Sequence, residues 1–348
     1  NKEEHKKRSL TMKSKISTFI SLSLLLAVSF ASEQRIASLG GNAGFWAEDD
    51  QNIYMFPATM HNFNIAQIDG NAEISKASFL FGEGTKYGFF MDESSDHLLN
   101  VAYGSGSWGL LLGFDTNSNE IGDTKTSSSD ISLGFGLNSG FGELGLNLMT
   151  SSADDGSDHK SSSMGFGLNL RREQPIWEFS HMLVSFNFMS GEHVEYEGME
   201  YEKMSDMNLN LDLYRHWALT EKTDLLLALG FGYMSTTLEP ESGDKTEMSG
   251  IMLPKYTFAV ETNLLEFATI RAGVNQHHVL SSTSKTGDNE VKSMGDSDFS
   301  LLFGIGVNYG GFKLDANLSP GFFVDPVSFI TGFNDESIAT QFSITYTW

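Results

Sequence analysis

The C-terminal stretch from Asp296 to Trp348 alternates apolar and polar residues over most of its length, and Gly310-Gly311 marks a turn within it. A period of two predicts β-strands with two unlike faces. A transmembrane β-barrel alternates in this way, with apolar side chains toward lipid and polar side chains toward the lumen. We therefore predict an all-β transmembrane antiparallel up-and-down β-barrel. The alternating apolar positions are Phe299, Leu301, Phe303, Ile305, Val307 and Tyr309, then Phe312, Leu314, Ala316 and Leu318, then Ile338, Phe342, Ile344, Tyr346 and Trp348.

The rest of the chain beyond Met60 divides into further segments of the same kind. The alternation is clearest in the middle of the chain and poorest in the first three or four segments. Counting all of them predicts sixteen strands, near residues 61–68, 75–81, 86–91, 98–104, 107–115, 130–138, 142–150, 162–171, 178–189, 205–215, 224–235, 250–262, 268–280, 297–309, 312–322 and 337–348.

The connections between these segments alternate in length. If the C-terminus lies in the periplasm, the periplasmic connections are short, as at 82–85 and 310–311, with two of middling length at 172–177 and 216–223. The other connections are long and charged; they cover 115–129, 151–161, 190–204, 238–249 and 281–295. Outer-membrane barrels have short periplasmic turns and longer extracellular loops, so this order favours the barrel over a soluble sandwich.

The beginning of the chain predicts export. Residues 1–11 precede Met12 and read as a non-native extension, and residues 12–31 have the basic start, apolar core and small-residue cleavage site of a signal peptide. The apolar run is shorter than the ~20 residues that a transmembrane helix needs. We therefore predict an outer-membrane location in a Gram-negative bacterium.

Composition narrows the range of partners. The chain has 348 residues, 35 Gly, no Cys and a formal net charge of −23. Cleavage after Ala31 removes six basic and two acidic residues and leaves 16 basic and 43 acidic ones, a net charge of −27. So acidic a protein lacks the basic surface that nucleic-acid binding needs. We expect contacts with outer-membrane lipid, and with lipopolysaccharide and divalent cations at the acidic loops.

Residues 32–62 are the least strand-like segment of the exported chain. This segment contains Leu39-Gly40-Gly41, the acidic run Glu48-Asp49-Asp50, and Pro57-Ala58 directly before the first strand. The pattern resembles the N-terminus of FadL/PorV-like outer-membrane barrels, in which Asn usually stands at the place of Phe56. The resemblance covers these residues and the general look of the C-terminal strands. It implies fourteen strands, so the count stays open between fourteen and sixteen.

The same resemblance also implies a division of the chain and a function. Residues 32–60 would be a periplasmic segment or a plug folded into the lumen, and residues 61–348 would be the barrel. The protein would then be a channel or transporter for small, hydrophobic solutes. Two alternatives are a structural scaffold barrel with acidic surface loops and a barrel-borne hydrolase.

The inward faces of the predicted strands carry candidate lumen residues. Charged side chains inside a barrel tune what passes through it, or they pair with one another and brace the wall. Gly residues on the same faces leave room for a segment inside. The lumen candidates are Arg171, Asp212, Glu261, Arg271, Lys313 and Asp315.

Aromatic residues recur at strand ends that we assign to the periplasm. Amphipathic rings favour the boundary between lipid and water, so these residues predict a periplasmic girdle. Its members are Trp108, Trp177, Trp217, Tyr309, Tyr346 and Trp348.

No motif predicts catalysis, a cofactor or a metal site. The run Asp115, Asn117 and Asn119 begins like a calcium-binding loop, but Glu120 and Thr126 stand where that loop needs Gly and Glu. No His of the chain lies in a recognisable nucleophile motif. We therefore expect no enzymatic activity and no cofactor.

Overall fold

A computed structural model describes residues 33–70, 75–92, 99–121, 124–154, 156, 160–196, 199–321 and 339–348 of the chain. The extension and the signal peptide expected at residues 1–31 lie outside the described residues. Within the described part, no helix is both long enough and apolar enough to span a bilayer.

Four short helical elements precede seventeen strands. The helical elements are α1 (Glu33–Ser38), a 3-10 turn (Ala43–Phe45), α2 (Asn52–Met55) and a second 3-10 turn (Pro57–Asn62). The strands are β1 (Ile65–Gly70), β2 (Ser75–Phe81), β3 (Thr85–Asp92), β4 (Leu99–Ser105), β5 (Trp108–Ile121), β6 (Thr124–Ser139), β7 (Gly142–Asp154), β8 (Lys160–Ile176), β9 (Phe179–Tyr196), β10 (Met199–Thr220), β11 (Thr223–Glu239), β12 (Thr246–Leu265), β13 (Ala268–Thr286), β14 (Asn289–Ser293), β15 (Asp296–Tyr309), β16 (Phe312–Leu318) and β17 (Ala339–Thr347).

The strands form one closed antiparallel sheet. Each strand of the wall pairs with its neighbours in the sequence, and β1 closes the sheet because it pairs with both β2 and β17. The short strand β14 pairs only with the far end of β13, which pairs with β15 along the rest of its length. The wall therefore has sixteen strands. This confirms the barrel and the count of sixteen, and the fourteen strands implied by the resemblance are wrong.

The two rims of the barrel are unlike each other. At one rim, which we call the short-turn rim, most turns have two residues, as at 106–107, 140–141 and 310–311. The connections expected to be of middling length are turns of the same kind, at 177–178 and 221–222. At the opposite rim, which we call the hairpin rim, the expected long loops are largely paired strands; β5 and β6, for example, pair as far as Ile121 and Thr124. Most of these extensions are polar on both faces, so the sequence shows no apolar period there.

The outer face of the wall carries an apolar band. On β11 the outward positions are apolar from Leu225 to Tyr233 and then change to Ser235, Thr237 and Glu239. About nine residues of tilted strand suffice to cross the hydrocarbon core. Side chains such as Leu229 are exposed on this band, whereas inward residues such as Asp212 are buried. An apolar outside around a buried, partly polar inside is the arrangement of a transmembrane barrel.

The first strands alternate poorly because both of their faces are apolar. Inward-facing Leu80, Phe90, Ala102 and Leu111 on β2–β5 are buried against the N-terminal residues Ile53 and Met60. The outward residues of the same strands are also apolar, for example Phe79 and Phe89. The alternation of apolar and polar residues is therefore weak where the inward side chains pack against the internal residues Ile53 and Met60.

We expect Leu229→Arg to lower the free energy of unfolding in phospholipid vesicles by about 2–4 kcal/mol, because it places a charge near the middle of the apolar band. Urea titration followed by tryptophan fluorescence measures this change. The matched variant Thr237→Arg lies on the same face of β11 beyond the band, and we expect it to change the unfolding free energy by about 0–1 kcal/mol. Equal losses in the two variants would contradict the placement of the band.

Candidate functional site

Residues 33–62, which we call the internal segment, lie inside the barrel near the short-turn rim. One apolar cluster joins Phe45, Trp46 and Phe56 to inward-facing Leu183 and Leu226 of the wall. A second cluster joins the internal segment to β2–β5 on the opposite side, as described above. The internal segment is therefore held by apolar contacts on both sides of the lumen.

Glycines in the wall let the backbone of the internal segment approach closely. A Cβ atom at Gly145 would overlap the carbonyl oxygen of Met55, and one at Gly109 would overlap that of Pro57. A Cβ atom at Gly273 would lie 2.8 Å from the carbonyl oxygen of Ser38. These inward-facing glycines therefore form the surface on which the internal segment lies, which we call the glycine seat. A larger residue at any of them would collide with the backbone of the segment.

Polar side chains of the wall satisfy backbone carbonyl groups of the internal segment. Asn275 Nδ2 donates to the Gly40 carbonyl at 2.5 Å, and Arg171 Nη1 donates to the Gly44 carbonyl at 3.1 Å. His216 Nε2 lies 2.7 Å from the Phe45 carbonyl. Buried carbonyl groups need such partners, so these wall residues replace the water that the internal segment loses inside the barrel.

The motifs that carry the family resemblance lie at these close approaches. Gly40 and Gly41 have positive φ values of 105° and 76°, and the Gly41 N–H donates to the Ile36 carbonyl at 2.8 Å, which ends α1. Phe56 lies under the guanidinium of Arg171, with 4.7 Å from Cζ to the ring centroid. A cation–π contact therefore holds the Phe56 ring against the wall.

A row of inward-facing polar residues crosses five neighbouring strands at one level of the wall. Asp92, Lys76, Asp69, Ser343 and Asp315 stand directly opposite one another in turn on β3, β2, β1, β17 and β16. All five are buried. We call these five residues the charged row.

The charged row continues into β13 and β12 through a buried arginine. Arg271 donates to Asp315 Oδ1 at 2.6 Å from Nη1 and to Glu261 Oε1 at 2.7 Å from Nε. Lys313 Nζ lies 3.3 Å from the second oxygen of Asp315. Gly306 lies on β15, between the strands of Arg271 and Asp315. A Cβ atom at Gly306 would lie 2.7 Å from Arg271 Nη2, so the glycine leaves space for the guanidinium group.

Helix α1 forms ion pairs with both ends of this network of charged wall residues. Glu33 Oε2 lies 3.1 Å from Lys76 Nζ on β2. Two residues later, Arg35 Nη2 lies 2.8 Å from Glu261 Oε2 on β12, and Arg35 Nη1 lies 2.5 Å from Asp49 within the internal segment. The internal segment is therefore fixed to two distant parts of the wall by ion pairs.

The structure places all six predicted lumen residues on inward-facing positions and gives each an ionic partner. Glu261, Arg271, Lys313 and Asp315 come together in the network above. The other two stand apart: Arg171 bonds Glu143 Oε2 at 2.5 Å and Asn52 Oδ1 at 2.7 Å, and Asp212 Oδ1 lies 3.7 Å from Lys255 Nζ. The pairing supports bracing of the wall over free charges in a pore, although the role of these residues stays a prediction.

The sequence pattern did not predict the charged residues of the internal segment and of the first strands that pair with the lumen residues or stand beside them. Arg35, Asp69 and Lys76 were not among the candidates, because β1 and β2 show little alternation. A usable signal existed, since Gln67 and Asp69 are polar at a spacing of two within an otherwise apolar run.

A cavity of about 590 Å³ opens below the internal segment at the short-turn rim. Arg35 and Asp50 of the internal segment line it together with the ends of the wall strands. Its charged lining residues are four basic ones, Arg35, Lys222, Arg271 and Lys313, and six acidic ones, Glu48, Asp49, Asp50, Glu221, Asp224 and Glu261. The excess of acid favours cations over anions in this cavity.

Asp50 is the most unusual acid of this cavity. Its carboxyl group is buried, and burial raises the pKa of Asp50 well above its usual value. The nearby negative charge of Asp49 raises the pKa of Asp50 further, Lys313 opposes this rise, and Asp69 adds a smaller increase.

All six predicted girdle residues lie at the short-turn rim. Trp177 and Tyr309 are almost fully exposed, and Trp217 lies under the guanidinium of Arg215. The other three belong to a series of eight rings in consecutive contact, with centroids 4.8–6.0 Å apart. In order, these rings are Phe312, Tyr346, Trp348, Phe79, Phe81, Tyr87, Tyr103 and Trp108.

Across the described ranges, no group of three or more His, Asp or Glu side chains is arranged to hold a metal ion.

Asp206, on the half of β10 nearer the hairpin rim, is buried in the lumen. It accepts hydrogen bonds from Thr236 at 2.6 Å and from Asn208 at 2.5 Å.

Comparison with known proteins gives only distant likenesses. No family model and no curated protein matches the chain. Among solved structures, it is similar to the siderophore receptor PirA from Acinetobacter baumannii, with 8% identity, a TM-score of 0.29, and coverage of 73% of this chain but only 61% of the receptor. It is also similar to the outer membrane protein OmpT of Vibrio cholerae (10% identity, 82% and 97% of the two chains, TM-score 0.30). The toluene transporter TbuX of Ralstonia pickettii matches with 9% identity over 92% and 98% of the two chains, with a TM-score of 0.25. Because these TM-scores are so low, the evidence for the barrel is the strand pairing of this chain itself.

We expect Arg271→Met to lower the free energy of unfolding by about 3–5 kcal/mol, because it leaves two buried carboxylates short of a partner. Urea titration of the folded protein in detergent measures this loss. Lys160→Met removes an exposed lysine that lies 3.1 Å from Asp154, and we expect it to change stability by less than about 0.5 kcal/mol. A cost for Arg271→Met as small as that of the control would show that the network contributes little.

We expect Asp50→Asn to flatten the pH dependence of stability between pH 4 and pH 8. The pKa of Asp50 is raised in the folded state, so its contribution is fully present below the unfolded pKa of about 3.9 and is lost as pH rises through the folded value. The midpoint of urea unfolding measured across this range tests the sign. Glu48→Gln changes an exposed acid of the same cavity and should keep the wild-type slope. An unchanged slope in Asp50→Asn would contradict the expectation.

Proposed function

We propose that the protein is an outer-membrane channel for small molecules in which the internal segment closes the lumen and has to move before a solute passes. A sixteen-stranded barrel is wide enough for an aqueous channel, so a closed state needs material inside. The observation that carries the proposal is the fit of the internal segment between two apolar clusters, on a seat of wall glycines.

The orientation and location follow from the same proposal. The short-turn rim faces the periplasm, the hairpin rim faces outward, and the protein resides in the outer membrane of a Gram-negative bacterium. The charged cavity then opens to the periplasm. Lipopolysaccharide and divalent cations are the partners we expect at the acidic hairpins.

The solute class rests on the resemblance rather than on the lining of the lumen. Leu39-Gly40-Gly41 and Pro57-Ala58 resemble FadL/PorV-like barrels, which implies small, hydrophobic solutes. Water can replace the polar contacts of the internal segment when it separates from the wall, whereas its two apolar clusters oppose the separation and keep the lumen closed at rest. We propose no enzymatic activity.

We expect Gly145→Ala to raise the conductance of the protein in a planar lipid bilayer severalfold, because the added methyl group collides with the Met55 carbonyl and lifts the internal segment from its seat. Gly140→Ala is the matched control, since a Cβ atom at Gly140 has no atom within 4 Å. The control should conduct like the wild type.

Deletion of residues 32–58 is the stronger form of this test, and we expect it to give a permanently open, cation-preferring pore. Heat-modifiable gel mobility verifies that each variant is a folded barrel. If the folded deletion variant is electrically silent, the channel proposal fails and a structural scaffold barrel is the better account.

A further inference from the structure

Three buried oxygen-bearing side chains meet on the inner wall beside the closure of the barrel. Asp69 and Gln67 lie two residues apart on the inward face of β1, and Ser343 stands directly opposite Asp69 on β17. Their exposed fractions are 2%, 2% and 0%. The three side chains therefore share one dry site under the internal segment.

The oxygens of this site are poorly satisfied by the described residues. Asp69 interacts with the hydroxyl group of Ser343 opposite it, but both carboxylate oxygens, the amide oxygen of Gln67 and the Ser343 hydroxyl oxygen lack a hydrogen bond of full geometry. The Gln67 amide nitrogen donates to Thr345 Oγ1 at 2.8 Å, which leaves its oxygen as the free end. Buried polar groups are normally satisfied, so these oxygens together suit an electropositive ligand.

The charge balance around Asp69 points the same way. Lys76 faces Asp69 across β1 and β2, but its ammonium group lies 3.1 Å from Glu33 and 3.7 Å from Asp92. Asp315, on the other side of Ser343, is compensated by Arg271 and Lys313. Lys76 is thus shared among the carboxylates of Glu33, Asp92 and Asp69, so negative charge exceeds positive charge here, and uncompensated buried charge is costly.

We propose that Gln67, Asp69 and Ser343 bind one hard monovalent cation, for which sodium is the probe. Hard cations take carboxylate, carbonyl and hydroxyl oxygens as ligands. The site itself holds one carboxylate beside two neutral oxygen-bearing side chains, which matches one positive charge, and no group of three acidic or histidine side chains in the described part of the chain is arranged for a metal.

The cavity at the short-turn rim comes close to this site. Thr345, which accepts the hydrogen bond of Gln67, lines the 590 Å³ cavity, and so does the buried acid Asp50. An ion would therefore enter the site from this cavity. Bound cation compensates Asp69 beneath α1 and holds the internal segment in place, whether or not any solute is transported.

The test is sodium-23 NMR of the full-length protein folded in detergent at pH 8, with NaCl exchanged for choline chloride at constant ionic strength. We expect the wild type to broaden the sodium line with a saturable component that corresponds to one site. Asp69→Asn should lose this component, because the amide keeps the size of the side chain and removes its charge. Asp224→Asn removes an exposed acid that lines the same cavity and should keep the saturable component.

A second variant protects the test against misfolding. Ser343→Ala should fold, as judged by heat-modifiable mobility, and raise the sodium dissociation constant severalfold by removing one oxygen. If the wild type shows no saturable broadening, Asp69 is neutralised by a proton or by water contacts and the proposal is wrong. Equal saturable binding in Asp69→Asn and the wild type would also overturn it. Because the readout is binding and not flux, failure here is distinguishable from failure of the channel proposal.

Discussion

Compensation of buried charge is the constraint that joins the wall of this barrel to the segment inside it. Arg271 has to reach both Glu261 and Asp315, and Glu261 also receives Arg35 from α1. Each charge would be costly alone inside the wall, whereas the pairs are tolerated because their hydrogen bonds are good. The position of α1, the glycine at 306 and the level of the charged row all follow from this requirement.

Much of the fold was predictable, because lipid enforces a strict contrast on the outer face of the strands. Leu225 to Tyr233 on β11 shows the period clearly, and all sixteen wall strands were located. The contrast disappears where inward side chains are also apolar, as at Leu80 and Phe90. It disappears again in the polar extensions near Ile121 and Thr124. In both regions the strand pairing, rather than the side chain pattern, determines the structure.

The site was predictable only on the wall side. Arg171 and Arg271 are charged residues at inward positions of clearly alternating strands, so the pattern identified them. Asn52, which bonds Arg171, and Arg35, which shares Glu261 with Arg271, lie in a segment without periodicity, and no pattern in the sequence connects residue 35 to residue 261. Such pairings depend on how the chain crosses the lumen, which a period of two does not encode. Water can replace the amide-to-carbonyl bonds when the internal segment leaves, but the two apolar clusters then lose their packing, so movement of the segment has a free-energy cost.

The contacts of α1 have a consequence for the order in which the molecule is assembled. This helix, near the beginning of the chain, packs against β13, β15, β16 and β17, which are made last. The seam between β1 and β17 closes beside it. This helix therefore has no complete docking surface until the last strands have joined the sheet. Contacts of such long sequence separation are slow to form. The lumen of a newly folded barrel would then be temporarily open, and entry of the N-terminus would be the final maturation step.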